Sequence, residues 1–95
     1  MIKSFKNKGL EDFFYDGSLK GINKNHADKI AIRLDFLDEM IDLADLNQFP
    51  NWDPHPLIGK NKGEIAIKVS GAWRITFKFD EGKQEVSKVD YLNYH

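Results

Sequence analysis

The chain has 95 residues, the length of a single domain, so residues 1–95 are expected to form one hydrophobic core. Hydrophobic residues make up 41% and charged residues 31% of the sequence, which excludes an intrinsically disordered chain. The absence of cysteine excludes disulfide bonds, cysteine-ligated zinc and thiol nucleophiles. No apolar run approaches the ~18 residues of a membrane span, and residues 1–6 do not resemble a signal peptide. A cytoplasmic protein without membrane association is therefore expected.

The net charge of −1 argues at first against a nucleic-acid partner, because nucleic-acid-binding domains usually carry a basic excess. The charge is unevenly distributed, however. Residues 25–53 contain seven acidic and two basic residues, whereas residues 54–79 contain five basic residues and one acidic residue. A polyanion responds to the local potential within a Debye length of ~8 Å, so the basic segment is compatible with RNA binding. The alternative is that both segments are ordinary solvated surfaces.

The N-terminal residues predict a short strand followed by a short helix. Residues 2–5 alternate between apolar and polar side chains, as in a strand. Leu10, Phe13 and Phe14 then recur at helical spacing, and Gly17 lies past the end of this helix.

A longer second helix is predicted after a loop over residues 19–25. Either Asn23 or Asn25 can cap it. Its predicted core stripe consists of Ala27, Ile30, Leu34, Leu37 and Ile41. Several acidic residues lie late in this helix, where the helix dipole disfavours them, which weakly indicates a binding partner.

The C-terminal half predicts a loop and a three-stranded meander. Residues 49–63 contain three prolines and two glycines, which favours an irregular loop of the kind that often carries function. Residues 65–69 and 73–79 alternate in polarity around a turn at 70–71, as in an antiparallel hairpin. A turn at 80–82 leads to a third strand over 86–92, and residues 93–95 remain as a free C-terminal tip.

This order predicts an α+β fold, in which the N-terminal strand and two helices pack on one face of a small, mainly antiparallel sheet. The other face is predicted to be exposed. Because side chains alternate between the two faces along each strand, the exposed face is expected to carry Lys68, Arg74, Thr76 and Lys78.

The sequence contains no glycine-rich phosphate loop, no HExxH motif and no nucleophile elbow. The candidates for chemistry are His55, which stands between two prolines, and His95, which follows Tyr94 at the chain end. His26 lies in the first turn of a polar helix start and is predicted to be a surface residue. Imidazole, phenol, arginine and lysine side chains together are what RNA cleavage without a metal or cofactor requires: a base, an acid and cations that stabilise the transition state.

Four segments together resemble the HigB toxins of the RelE/ParE superfamily. They are Gly-Ile-Asn at 21–23, Trp-Asp-Pro-His-Pro-Leu-Ile-Gly at 52–59, Gly-Ala-Trp-Arg-Ile-Thr-Phe at 71–77 and Asp-Tyr-Leu-Asn-Tyr-His at 90–95. The resemblance spans essentially the whole chain. It implies a RelE-like fold and a toxin that cleaves mRNA in the A site of the small ribosomal subunit. It also implies a HigA-type antitoxin with a helix-turn-helix domain, through which alone the toxin would contact operator DNA.

The resemblance also implies roles for particular residues. His95 would be the leading acid–base group, Arg74 would contact the scissile phosphate, His55 would contact phosphate or base, and Tyr94 would stack or orient. The predicted RNA- or ribosome-binding residues are Lys60, Lys62, Lys68, Lys78 and Asn93. This chain departs from the family pattern at Asn93, where an acid is often found, and at Ile58, where a lysine is common.

Two other functions stay open from the sequence. The first is a toxin of the same superfamily that inhibits a protein target such as gyrase without nuclease chemistry. The second is a small interaction module whose acidic helix, with Asp35, Asp38 and Asp42, binds a basic partner. The same acidic helix is a weak candidate for contact with the antitoxin.

Overall fold

The structure, a computed structural model, describes residues 1–59 and 62–94. Two helices, α1 (Lys8–Asp16) and α2 (Ala27–Glu39), precede four strands within these residues. The strands are β1 (His55–Pro56), β2 (Ile65–Ser70), β3 (Trp73–Asp80) and β4 (Glu85–Asn93). Short 3₁₀ helices cover Lys24–His26, Leu43–Gln48 and Pro50–Trp52. The predicted α+β class is confirmed. No helix in the described part of the chain is long and apolar enough to span a membrane.

The strands form an antiparallel sheet in the order β1-β2-β3-β4. The predicted hairpin and third strand are confirmed. The predicted N-terminal strand is reduced to two isolated parallel bridges, from Ile2 to Val86 and from Phe5 to Val89. The Lys3 backbone N–H donates to the Val86 carbonyl at 2.7 Å and extends this pairing. The N-terminus therefore covers the open edge of β4, which would otherwise present unpaired backbone groups.

Helix α1 has signals at both ends that the sequence makes explicit. The Asn7 side chain accepts a hydrogen bond from the Leu10 backbone N–H at the N-terminus. Gly17 ends the helix in the left-handed conformation, with φ of 72°. In its first turn, Gly9 lies against Gly21 of the following loop, so closely that a Cβ on Gly9 would come within 2.5 Å of the Gly21 carbonyl oxygen.

Helix α2 is shorter than the apolar stripe predicts. Asn23 caps the 3₁₀ turn that precedes α2, and the α-helix itself begins at Ala27. Met40 is extended, with ψ of 132°, so the helix ends at Glu39. The prediction that Ile41 belongs to the core is wrong, because Ile41 lies beyond this break and is 62% exposed. One late acid has an internal role, since Asp38 accepts a hydrogen bond from the Ile2 backbone N–H at 2.9 Å.

The core lies between the helices and one face of the sheet. Its fully buried members include Leu10, Ile30, Leu34, Leu37, Ile67, Ile75, Phe77, Val86 and Val89. Arg33 is also buried, and it joins three elements. Its Nε donates to the Lys68 carbonyl at 2.8 Å, and its guanidinium lies 4.6 Å from the centre of the Trp52 ring. This arginine therefore fixes α2 against β2 and the 3₁₀ turn before the His55 strand.

Two further predictions need correction. Residues 49–63 are not wholly irregular, because a 3₁₀ turn and β1 lie within them and β1 pairs with β2. Thr76 is only 2% exposed, although the alternation places it on the open face. It lies in the middle of β3 between β2 and β4, and its short side chain is flanked along the strand by the longer Arg74 and Lys78.

Candidate functional site

The sheet places His55 and Arg74 on the same face. His55 pairs with Ala66 of β2, Ala66 pairs with Thr76 of β3, and Arg74 lies two residues before Thr76. Cross-strand partners and residues two apart share a face. With strands ~4.8 Å apart and ~3.4 Å per residue, the two Cα atoms are separated by roughly 12 Å. A phosphate group bound above the sheet can therefore be reached by both long side chains.

His55 is oriented by the backbone immediately before it. Its Nδ1 lies 2.9 Å from the Asp53 carbonyl oxygen, and Asp53 itself adopts the left-handed conformation with φ of 47°. A carbonyl can only accept a hydrogen bond, so Nδ1 must carry the proton. In the neutral ring, Nε2 then has the lone pair and can accept a proton or a hydrogen bond from a substrate. The ring is half-buried at the sheet edge.

Arg74 is held at the turn between β2 and β3. Its Nη1 donates to the Gly71 carbonyl at 2.7 Å and to the Trp73 carbonyl at 3.0 Å. Within residues 1–59 and 62–94, no hydrogen bond engages its Nε or Nη2. These donors form the planar fork with which arginine binds phosphate oxygens.

The C-terminal residues run beside this arginine. Arg74 pairs with Leu92 of β4, and the Tyr94 backbone N–H donates to the Ala72 carbonyl at 2.9 Å. The prediction of a free tip is thus wrong as far as Tyr94, because the chain continues to pair beyond β4. Tyr94 is 39% exposed. Asn93 pairs with Trp73 and so lies on the opposite face from Arg74, with its side chain exposed at the strand end. His95 lies outside the described residues.

Cations border this face, which also carries one acid, Asp90, the cross-strand partner of Thr76. Lys68 is exposed and is the direct cross-strand partner of Arg74. Lys78 is half-buried further along β3, and Lys62 is exposed in the segment between β1 and β2. None of these three lysines forms an ion pair with an acid of the described residues. Lys60 lies outside the described part. The face therefore attracts a polyanion such as RNA.

A cleft of about 260 Å³ opens beside His55. The 3₁₀ helix Leu43–Gln48 forms one wall, and Pro54, His55, Pro56 and Ile65 form the other. Ile58, which replaces the lysine of the family pattern, is 89% exposed. It offers no charge to a phosphate in this loop, so any cationic contact there must come from other residues.

Sequence reasoning missed the environment of His26. This residue is 7% exposed, and its Nδ1 lies 2.7 Å from the Tyr91 hydroxyl. The prediction of a surface position is wrong because the partner lies 65 residues away along the chain. No local pattern around His26 could have indicated it.

The chain belongs to the HigB-like toxin family. The model of that family, described as the RelE-like toxin of the type II toxin–antitoxin system HigB, matches residues 3–95. Members of this class are the toxin halves of toxin–antitoxin pairs, and an antitoxin is therefore a partner of this protein.

One named relative supports this assignment. Endoribonuclease HigB of Proteus vulgaris is 38% identical to this chain over 95 residues and covers 100% of both chains. Among solved structures, the toxin–antitoxin complex RelBE2 of Mycobacterium tuberculosis contains a chain with a TM-score of 0.48 and 16% identity. That match covers 97% of this chain and 96% of the other.

Proposed function

We propose that this protein is an endoribonuclease toxin that cleaves mRNA in the ribosomal A site and thereby inhibits translation. Membership of the toxin family and the full-length similarity to an endoribonuclease support this proposal. The observation that carries it is the placement of His55 and Arg74 on one sheet face, bordered by Lys68 and Lys78. That face combines a proton acceptor, a phosphate-binding fork and positive charge.

The chemistry follows from what these side chains can do. The ribose 2′-oxygen loses its proton to a general base and attacks the adjacent phosphorus, and the bond from phosphorus to the 5′-oxygen breaks. A general acid protonates the leaving 5′-oxygen. Arg74 neutralises the charge that develops on the phosphate in the transition state. His95 is the leading acid–base group, while His55, through Nε2, contacts phosphate or base, and Tyr94 stacks on or orients the RNA.

No metal or cofactor takes part in this proposed reaction. The products are an RNA with a 2′,3′-cyclic phosphate and an RNA with a free 5′-hydroxyl, because the proton and the electron pairs move only among RNA and side-chain groups.

The proposed partners follow from the same reading. A HigA-type antitoxin with a helix-turn-helix domain neutralises the toxin, and operator DNA is contacted only through that antitoxin. The small ribosomal subunit presents the mRNA, which places the toxin in the cytoplasm. The face that carries Arg74 and Lys68 turns towards the RNA, while the acidic residues of α2 lie on another part of the surface. The near-neutral net charge indicates weak affinity for free RNA, so the ribosome must help to present the substrate.

A toxin that inhibits gyrase without cleaving RNA is not favoured. Such a protein has no need of a histidine with an available Nε2 and an arginine fork on one basic face. The same reasoning disfavours a simple interaction module.

The proposal is tested by cleavage of a defined mRNA on programmed ribosomes. Arg74→Ala and His95→Gln are expected to lose cleavage, since the first removes the cation that stabilises the phosphate and the second removes the leading acid–base group. Lys83→Ala is the matched control, because Lys83 is exposed in the turn after β3, at the opposite end of that strand from Arg74. Wild-type cleavage by both site variants would overturn the assignment of the site.

A further inference from the structure

His26, Trp73 and Tyr91 form a cluster beneath the end of the sheet that carries the candidate site. The His26 Nδ1 lies 2.7 Å from the Tyr91 hydroxyl. The Trp73 and Tyr91 rings stack with centroids 4.5 Å apart, and the His26 ring meets Trp73 edge-on at 5.7 Å. His26 and Tyr91 are 7% and 6% exposed, so the hydrogen bond between them is shielded from water.

The surroundings of His26 and Tyr91 favour the neutral form of both groups. Burial, together with the charge of Lys29, lowers the pKa of His26, and burial raises the pKa of Tyr91 against a weaker opposing effect of a backbone hydrogen bond from Asn23. We assign the neutral phenol as the donor and Nδ1 of the neutral imidazole as the acceptor, because the phenol oxygen already accepts the backbone hydrogen bond from Asn23. This assignment comes from the hydrogen-bond partners, and it places the remaining ring proton of His26 on Nε2.

The cluster is continuous with the site through two strands. Trp73 directly precedes Arg74 in β3, and Tyr91 lies three residues before Tyr94. Trp73 also pairs with Asn93, the last residue of β4. The Asn7 side chain adds a hydrogen bond at 3.4 Å to the Tyr91 carbonyl, from the opposite end of the chain. Tyr91 is thus the last buried residue of β4.

We propose that His26 is a positioning residue for RNA cleavage, which holds the end of β4 through Tyr91 so that Tyr94 stays on the face that carries Arg74. The proposal rests on the proposed function. Strand ends fray unless they are tied down, and the family resemblance implies a role for Tyr94, directly after β4. Since a misplacement of ~1 Å at a reacting centre can reduce the rate by ~10²-fold, the anchor matters for the rate more than for RNA binding.

The test compares two replacements of His26 on programmed ribosomes carrying a defined mRNA. His26→Leu fills similar space but cannot accept the phenol proton, whereas the side-chain oxygen in His26→Asn can take the place of Nδ1. We expect His26→Leu to lower kcat by about 10- to 100-fold with KM nearly unchanged. His26→Asn is expected to restore kcat to within about 3-fold of the wild-type value. Tyr91→Phe deletes only the hydroxyl and serves as the second test if His26→Leu does not fold; it is expected to lower kcat as His26→Leu does.

Val86→Ala provides the control for stability alone. Val86 is fully buried at the beginning of the same strand, at the far end from Asn93, so its truncation weakens the core without releasing the C-terminus. Val86→Ala is expected to retain the wild-type kcat at a temperature where both this variant and the wild-type protein are folded. The proposal is overturned if His26→Leu, or Tyr91→Phe in its place, cleaves with wild-type kcat, if Val86→Ala loses kcat equally, or if His26→Asn is no better than His26→Leu. Failure of the wild-type protein itself to cleave would instead reject the proposed function, and this inference with it.

Discussion

The contact between Gly9 and Gly21 gives a stability prediction in which two effects have opposite signs. Replacement of Gly9 by alanine in a helix normally stabilises a protein by up to ~1 kcal/mol, because glycine loses more backbone entropy on folding. In this structure, the new Cβ would lie 2.5 Å from the Gly21 oxygen and 2.6 Å from its Cα. Both are backbone atoms, so no side-chain rotation can relieve the contact.

The magnitude follows from how far the two backbones must separate. To restore ordinary van der Waals contact, α1 and the loop would have to move apart by about 1 Å. Overpacking of this kind costs about 1–3 kcal/mol and sometimes more. Because three Gly21 backbone atoms lie within 2.8 Å of the new Cβ, we take the upper part of this range, about 2–3 kcal/mol. After subtraction of the helix gain of ~1 kcal/mol, we expect Gly9→Ala to lower the free energy of unfolding by about 1–2 kcal/mol. For a domain of this size, that corresponds to a fall in Tm of roughly 4–16 °C.

The assay is thermal and urea unfolding followed by far-ultraviolet circular dichroism. Gly82→Ala is the matched control, because a Cβ there would meet only a side-chain oxygen of Asp80 at 3.4 Å. It should change stability by less than ~0.5 kcal/mol. An increase in Tm for Gly9→Ala would refute the reasoning, since it would mean that helix propensity outweighs the backbone contact. Glycine at position 21, the first residue of the motif at 21–23, is thus explained by its close packing against Gly9.

Three further predictions concern pH, a buried charge and salt. The pKa of His26 in the folded protein lies below its ordinary value of 6.5. The contribution of neutral His26 to the free energy of unfolding should therefore be fully present above pH 6.5 and should decrease as the pH falls towards the lowered pKa. In urea unfolding at about pH 5–7, His26→Asn should abolish this pH-dependent contribution. Arg33→Met should cost about 1–3 kcal/mol by removing the charge-assisted bond to the Lys68 carbonyl, measured by urea unfolding; an unchanged midpoint would contradict that role. Reversal of Lys60 and Lys62 to glutamate should weaken ribosome binding and reduce its dependence on salt concentration, and an unchanged affinity in a salt titration would remove these lysines from the interface.

The sheet could be predicted from the sequence because its information is local. Alternating side chains and short turns specify the β2–β3 hairpin, and the hairpin register then places Lys68 opposite Arg74. The end of α1 is equally local, since Gly17 adopts the left-handed conformation that favours glycine. These features needed no knowledge of distant contacts.

The remaining parts depend on contacts between residues far apart in the chain. Strand β1 consists only of His55 and Pro56, directly after Pro54, and only its pairing with β2 distinguishes it from a loop. The burial of His26 requires Tyr91, which comes late in β4. Ile41 fits the helical periodicity, but the helix ends at Glu39 and Met40 is already extended. For β1 and His26, tertiary structure overrides a correct local pattern.

We propose above that this toxin cleaves mRNA that the ribosome presents. The most direct test is primer extension on a cellular mRNA after induction of the protein, in parallel with the same mRNA carrying an inactivated start codon. We predict cuts within the reading frame of the translated mRNA and none in its untranslated counterpart. The absence of cuts in both, with growth still arrested, would contradict the account and point to a protein target instead.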